Sequence, residues 1–301
     1  VTALLAETVL SREQWEATAA AHADRADALT ADHRARASRA EKHPVEDFLF
    51  TYYSYKPAIL RRWHPGAGVV LLDAEERVGW RWYRPEGSAV RVDAEAFRSE
   101  RASLYRGIAN LLRATLHRPA QFGCFGLHEW AMAYRADDVR HAVPLRLGRD
   151  GTDAVVDAHD LRCTHFDAFR FFTPDAVPRN REPLSREGQV EREQPGCLHA
   201  GMDVYKWAVK LGPLVPGALL LDAFVLARDI RTLDMEASPY DLTAWGYSPV
   251  AIETPEGKAQ YVSRQRALSE RAQRLRRAVL VAIGAADDTP GRADFLRPDP
   301  V

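Results

Sequence analysis

The chain has 301 residues, 46% hydrophobic and 28% charged, with 41 basic against 42 acidic residues and a formal net charge of −1. That balance excludes wholesale disorder, collagen-like and coiled-coil architecture, and it argues against a strongly basic nucleic-acid protein. Lysine appears only at Lys42, Lys56, Lys206, Lys210 and Lys258, so arginine carries most of the positive charge and reads mainly as solvated surface. Cys124, Cys163 and Cys197 are widely spaced and include no CxxC pair, which speaks against a disulfide framework or a cysteine-rich zinc site. The longest apolar stretch, 215–227, is interrupted by Asp222 and is too short to span a bilayer. Val1 to Leu10 lacks a basic leader and a small-residue cleavage pattern, so the chain reads as soluble and cytoplasmic, with no membrane partner.

In chain order, 11–41 reads as a long Ala-rich helix opened by a capping box between Ser11 and Gln14. Its polar far end suggests a solvated helix or outlying arm, with His22 and His33 not assigned to chemistry. Residues 43–57 carry Phe48, Phe50, Tyr52, Tyr53 and Tyr55 behind Pro44, the pattern of a buried helix that is apolar nearly all round. Two short strands are expected at 68–73 and 78–83. A helix follows at 93–117 with Asp93 as N-cap, and another at 125–135. The middle, 144–195, is less regular, and its polar run "REPLSREGQVEREQPG" is the candidate for a mobile loop or lid. Three helices are expected at 197–211, 216–236 and 255–284, the last opened by Thr254 and Pro255. The fold class is therefore mainly α, with a small antiparallel β element. The division is a charged helix or arm at 1–42, a helical catalytic-type domain at 43–290 and a tail at 291–301.

Four His–carboxylate pairs lie in aromatic or small-residue surroundings: His128–Glu129, His159–Asp160, His165–Asp167 and His199–Asp203. The spacing of His199 and Asp203 places both on one helical face, with Lys206 and Trp207 one turn further on. Such polar groups in an apolar helix are either hydrogen-bonded core or functional, because unpaired burial costs about 1–3 kcal/mol each. His128, His165, His199 and Asp203 are expected in or beside one pocket. Imidazoles from several segments with carboxylates also suit zinc or non-haem iron, and His165, Asp167 and His199 are the metal candidates. No HExxH or HxxxH pattern is present, nor a P-loop, GxGxxG or GxSxG motif, so neither a nucleotide cofactor nor a serine nucleophile is expected. Cys163 stands two residues before His165 and does not read as a thiol nucleophile. Residues 210–234 have the general layout of a helix–hairpin–helix, but Leu219 stands where the second glycine is needed, and a simple helical hairpin is the preferred reading.

The passages "EKHPVEDFLFTYYSYKPAILRRWHPG", "HEWAMAYR", "HDLRCTHFDAFRFFTPDAVPRN", "GCLHAGMDVYKWAVKLGP" and "ARDIRTLDMEASPYDL" together resemble a family of uncharacterised bacterial proteins. The family is frequent in actinobacteria and often labelled 3-methyladenine DNA glycosylase; the resemblance spans about residues 41–280. It implies cleavage of an N-glycosidic bond to a purine-like base. On that expectation Tyr52, Tyr53, Tyr55 and Trp207 supply aromatic walls, with His128 and Asp167 also binding substrate. His199 would be a donor, Asp203 or Glu129 the carboxylate, and His165 a further catalytic group, with little bound metal. The near-neutral charge favours a free nucleoside or small metabolite over DNA. The alternatives are a metal-dependent small-molecule enzyme using His165, Asp167 and His199, and a non-enzymatic helical binding module.

Overall fold

The computed structural model describes residues 8–137 and 142–286; the expected tail at 291–301 and residues 1–7 lie outside the described residues. Strand β1 (Thr8–Leu10) leads into α1 (Arg12–Ser38), whose capping box is formed as the sequence predicts: the Gln14 amide donates to Ser11 Oγ and the Ser11 amide to Gln14 Oε1. This helix is not an outlying arm. Trp15, His22, Ala26 and Thr30 are buried, and Trp15 Nε1 donates to the Leu72 carbonyl at 2.9 Å. The apolar positions are few but lie on the face turned to the body.

The aromatic stretch does not form one helix. It yields α2 (Phe48–Thr51), a break at Ser54 with φ +58, and α3 (Pro57–Arg61). Proline at the first position of α3 disfavours helix in the residue before it, which explains the interruption. The sheet uses β2 (Val69–Leu72), β3 (Tyr83–Glu86) and β4 (Ala89–Val92) in the order β1-β2-β4-β3. The β2–β4 and β3–β4 pairs are antiparallel and β1 joins β2 in parallel. Residues 78–82, expected as strand, form turns instead, and β3 and β4 make a hairpin around Gly87 at φ +63.

The helix expected at 93–117 is two: α4 (Ala94–Glu100), capped by Asp93, and α5 (Ala102–His117), broken at Arg101. Short helices α6 (Leu127–Ala131), α7 (Gly148–Asp157), α8 (Phe166–Phe169) and α9 (Gln189–Arg192) form the middle. The polar run preceding residue 197 is no lid. Gln189, Glu193 and Gln194 are buried in it, and Arg118 Nη2 donates to the Val190 carbonyl at 3.0 Å.

The C-terminal helices α10 (Leu198–Leu211), α11 (Gly217–Glu236) and α12 (Pro255–Ala282) follow the expected positions, and Thr254 caps the last through the Gly257 amide. The chain is a predominantly α-helical domain with a small, largely antiparallel sheet. Helix α10 lies against both α11 and α12. Gly201 permits that approach, because a Cβ there would sit 2.9 Å from Ile230 Cδ1 and 3.4 Å from Ala272 Cβ. No described helix is long and apolar enough to cross a membrane.

Candidate metal centre

Helix α10 starts where the chain at Gly196 presses on the 121 segment. A Cβ on Gly196 would lie 2.2 Å from the Gln121 carbonyl oxygen, so no larger residue fits. Gln194 Oε1 accepts from the Gln121 and Gly196 amides at 2.8 and 2.7 Å, and Gln265 Nε2 donates to the Gly196 carbonyl at 2.7 Å. These bonds fix the first turn of α10, from which His199 projects. His165 precedes α8 and is held by a clamp in which Asn180 bonds both the amide and the carbonyl of Cys163, at 2.8 and 3.1 Å. His128 and Glu129 sit on α6, entered through Gly126 at φ +73.

Two groups form. In the first, His128 Nε2 lies 2.6 Å from Asp234 Oδ1, and Arg231 donates to Asp234 Oδ2 at 2.8 Å and to Glu129 Oε1 at 2.7 Å. In the second, His165 Nε2 lies 2.9 Å from Glu193 Oε1 and 3.2 Å from Asp203 Oδ2. Asp203 is also bound by the Tyr53 hydroxyl at 2.7 Å and by Lys206. His199 joins the two: its ring meets His128 edge-on at 4.4 Å and stacks on His165 at 5.4 Å. Within each of the sets His128–His199–Asp234 and His165–Glu193–Asp203, one donor atom per residue lies within 4.8 Å of the others.

The electrostatics are those of buried, mutually dependent charges. Burial works against charge on His128, but the Asp234 carboxylate outweighs it and holds the imidazole protonated well above its ordinary range. Burial likewise opposes charge on His165, yet Glu193 and Asp203 raise it to about 9. Asp203 and Asp234 resist the upward push of burial because Lys206 with His165, and His128 with Arg231, face them; both stay ionised. Lys206 is desolvated but held protonated by Asp203. His199 is the exception: burial, and then the His128 cation, press it well below its ordinary value, so it is neutral. Its ring has no hydrogen-bond partner among the described residues.

The remaining expected residues divide. Asp167 is ion-paired with Arg186 at 2.5 Å and Lys206 at 3.2 Å, so it sits beside the second group without meeting a histidine. The trio His165, Asp167 and His199 is thus split, each histidine having other carboxylates nearer. Glu129 serves Arg231. Tyr52 and Tyr55 pack around Tyr53 at ring distances of 5.0 and 6.2 Å, and Trp207 lies under the Lys206 ammonium at 4.2 Å. His159 bonds its own helix at the Val155 carbonyl, and Asp160 is exposed; that pair stands apart. Cys163 is held as a neutral thiol by burial, while Cys124 Sγ lies 3.7 Å from His128 Nδ1.

Sequence reasoning missed Asp234, Arg231 and Glu193. A signal existed for the first two: Arg231 and Asp234 interrupt the buried face of α11 among Ala227, Ile230 and Leu233. Glu193 sits in a polar run with no such contrast.

Three imidazoles and three carboxylates from five segments, His199 and Asp203 sharing α10, can coordinate one or two metal ions. The donor atoms are nitrogen and oxygen only, a set that suits zinc, iron or manganese. The neutral His199 offers a ring nitrogen without a partner among the described residues, whereas the cationic His128 and His165 would each release a proton on becoming ligands. Comparison with family models, with curated proteins and with solved structures finds no match.

Proposed function

We propose that the chain is a metal-dependent enzyme acting on a small anionic molecule. The observation that carries this reading is the neutral, unpartnered His199 standing between the His128–Asp234 and His165–Glu193–Asp203 groups. His199 is only partly exposed and makes no hydrogen bond to a described residue, and beside it His165 Nδ1 is buried without a partner, which in a purely structural network costs about 1–3 kcal/mol. A bound metal would supply Lewis acidity to a substrate oxygen or water. The chain's own residues do the positioning. Arg231 fixes Asp234, while Tyr53 and Lys206 fix Asp203, so the carboxylates are aimed and kept ionised.

The substrate class is read from a cavity of about 500 Å³ that neighbours the groups, although none of the six candidate ligands lines it. Cys124, which touches His128, and Cys163, two residues from His165, line it together with Arg118, Arg162, Arg181 and Arg192. Arg192 is ion-paired with Glu182 and Arg162 with Asp160, and Arg118 donates to the Glu193 and Val190 carbonyls, so among the described residues Arg181 is the guanidinium left for an anion; arginine suits planar carboxylate or phosphate. N-glycosidic cleavage draws no specific support from this arrangement; Tyr53, His165 and Lys206 occupy the Asp203 oxygens, and a metal ligated by Asp203 would have to displace one of them.

Elemental analysis of untagged protein purified without chelator tests the reading. Near-stoichiometric zinc, iron or manganese, lost in folded His199→Ala, is the expected result. Absence of metal even after loading, with base release from a nucleoside or alkylated DNA by the metal-free protein, would replace it with the glycosidase.

A further inference from the structure

A second cavity, of about 600 Å³, lies at the C-terminal end of α10, and none of the six candidate metal ligands lines it. Its size falls within the roughly 300–1,000 Å³ of small-molecule pockets. Its walls include Ile59, Val209 and Leu220, the indoles of Trp80 and Trp82, and the imidazole of His64.

The aromatic walls are fixed in advance. Trp82 has φ +62, a left-handed backbone that bulky residues rarely adopt and that persists only where the surroundings impose it. Its Nε1 donates to Glu100 Oε2 at 3.0 Å, its ring meets Phe97 edge-on at 4.8 Å, and the Arg81 guanidinium lies over it at 4.3 Å. Trp80 meets His64 and Tyr83 edge-on at 5.8 and 5.7 Å.

The polar groups are few and of one kind. The Tyr83 hydroxyl lies 2.8 Å from His64 Nδ1, a contact in which the phenol donates when the imidazole carries its proton on Nε2. In that tautomer Nε2–H is a donor on an otherwise apolar wall. Arg62 lies over Trp80 at 5.6 Å and makes no ion pair among the described residues, whereas Arg81 is taken by Glu100. No carboxylate lines the cavity.

We infer that this cavity is a binding site for a small aromatic carboxylate, its ring between the indoles and its anion at Arg62 and His64. Two rigid indoles select a flat, apolar body, and an unpaired guanidinium beside an N–H donor selects an anion, preferably one that arginine can grip through two oxygens.

Calorimetric titration of the full chain with 2-naphthoate, 2-naphthamide and cyclohexanecarboxylate tests this. Naphthoate should bind saturably, with the amide and the non-aromatic acid each weaker by about tenfold or more. Arg62→Gln, a change at an exposed position, should weaken naphthoate by a similar factor. Ile59→Trp, at a rim position 40% exposed, should block it by filling the cavity. No saturable binding at about 10 mM naphthoate, well beyond a useful affinity, would overturn the inference. So would unchanged affinity in Arg62→Gln, or equal binding of the amide or of cyclohexanecarboxylate. Should Ile59→Trp fail to fold, the Arg62→Gln comparison decides alone. Metal content has no bearing on any arm, so this site and the metal centre stand or fall separately.

Discussion

His128 and Asp234, 106 positions apart in sequence, meet at 2.6 Å inside the protein, and Arg231 holds the other carboxylate oxygen at 2.8 Å. Two buried cations thus depend on one carboxylate. Asp234→Asn removes it and leaves Arg231 with Glu129 alone. Breaking a buried ion pair from one side costs about 3–5 kcal/mol, so urea denaturation at neutral pH should show a loss of that size. A loss below about 1 kcal/mol would mean that the pair contributes no such stability.

Two tyrosines in contact give a matched comparison. Tyr53 donates to the ionised Asp203 at 2.7 Å, whereas the buried Tyr205 hydroxyl has no hydrogen-bond partner, and their rings lie 5.9 Å apart. A hydrogen bond to a charged group contributes about 1.5–3 kcal/mol. Tyr53→Phe should therefore destabilise by roughly that amount, while Tyr205→Phe should lose no bond and should stabilise, by up to about 1–3 kcal/mol, because it removes an unpaired buried hydroxyl. Equal effects of the two changes in chemical denaturation would contradict the assignment.

His64 makes stability fall in mild acid. Burial lowers its pKa to about 4, assisted by Arg62, Arg77 and His22; Tyr83, its hydrogen-bonding neighbour, stays a neutral phenol. The unfolded chain titrates near 6.5, so the folded protein binds fewer protons between the two values. Stability is complete above about pH 6.5 and declines as pH falls toward 4, by at most about 3 kcal/mol from this residue. His64→Asn keeps an acceptor for Tyr83 but cannot titrate. Its stability should fall less steeply than wild type over this window, and parallel curves would refute the attribution.

Gly201 couples packing to the metal centre, since α10 carries His199 and Asp203 while α11 carries Asp234. Gly201→Leu forces side-chain atoms into Ile230 and Ala272, and overpacking of this kind costs about 1–3 kcal/mol. Gly201→Ala should cost less, because the nearest atom is a terminal methyl of Ile230 that can turn away. Thermal melts of both variants, with metal content measured in parallel, check this. A Gly201→Leu protein as stable as wild type would show that the two helices do not need the close approach.

Local signals predicted elements where one residue type decides the backbone. Ser11 with Gln14, Asp93, and Thr254 with Pro255 each cap the helix expected of them. Locality failed where the backbone turns on a single angle: Ser54 at φ +58 divides the aromatic stretch, and Trp82 at φ +62 turns the chain out of the expected second strand. The site was half legible. His128, His165, His199 and Asp203 stood out as polar residues in apolar passages, and the structure brings them together. Their partners did not, because Asp234 answers to a histidine 106 residues away and Glu193 hides among surface-like charges. Pairing in sequence also misled, since His165 bonds Glu193 and Asp203 while the adjacent Asp167 goes to Arg186 and Lys206.

The central claim is that His199 is a ligand awaiting a metal. Calorimetric titration of chelator-stripped, untagged protein with Zn²⁺ and Mn²⁺, alongside His199→Ala, addresses it most directly. The account predicts saturable binding of one or two ions per chain, matching the two donor groups, and at least about tenfold weaker binding in a folded His199→Ala protein. No saturable heat with either ion, or identical binding with the imidazole removed, would contradict it.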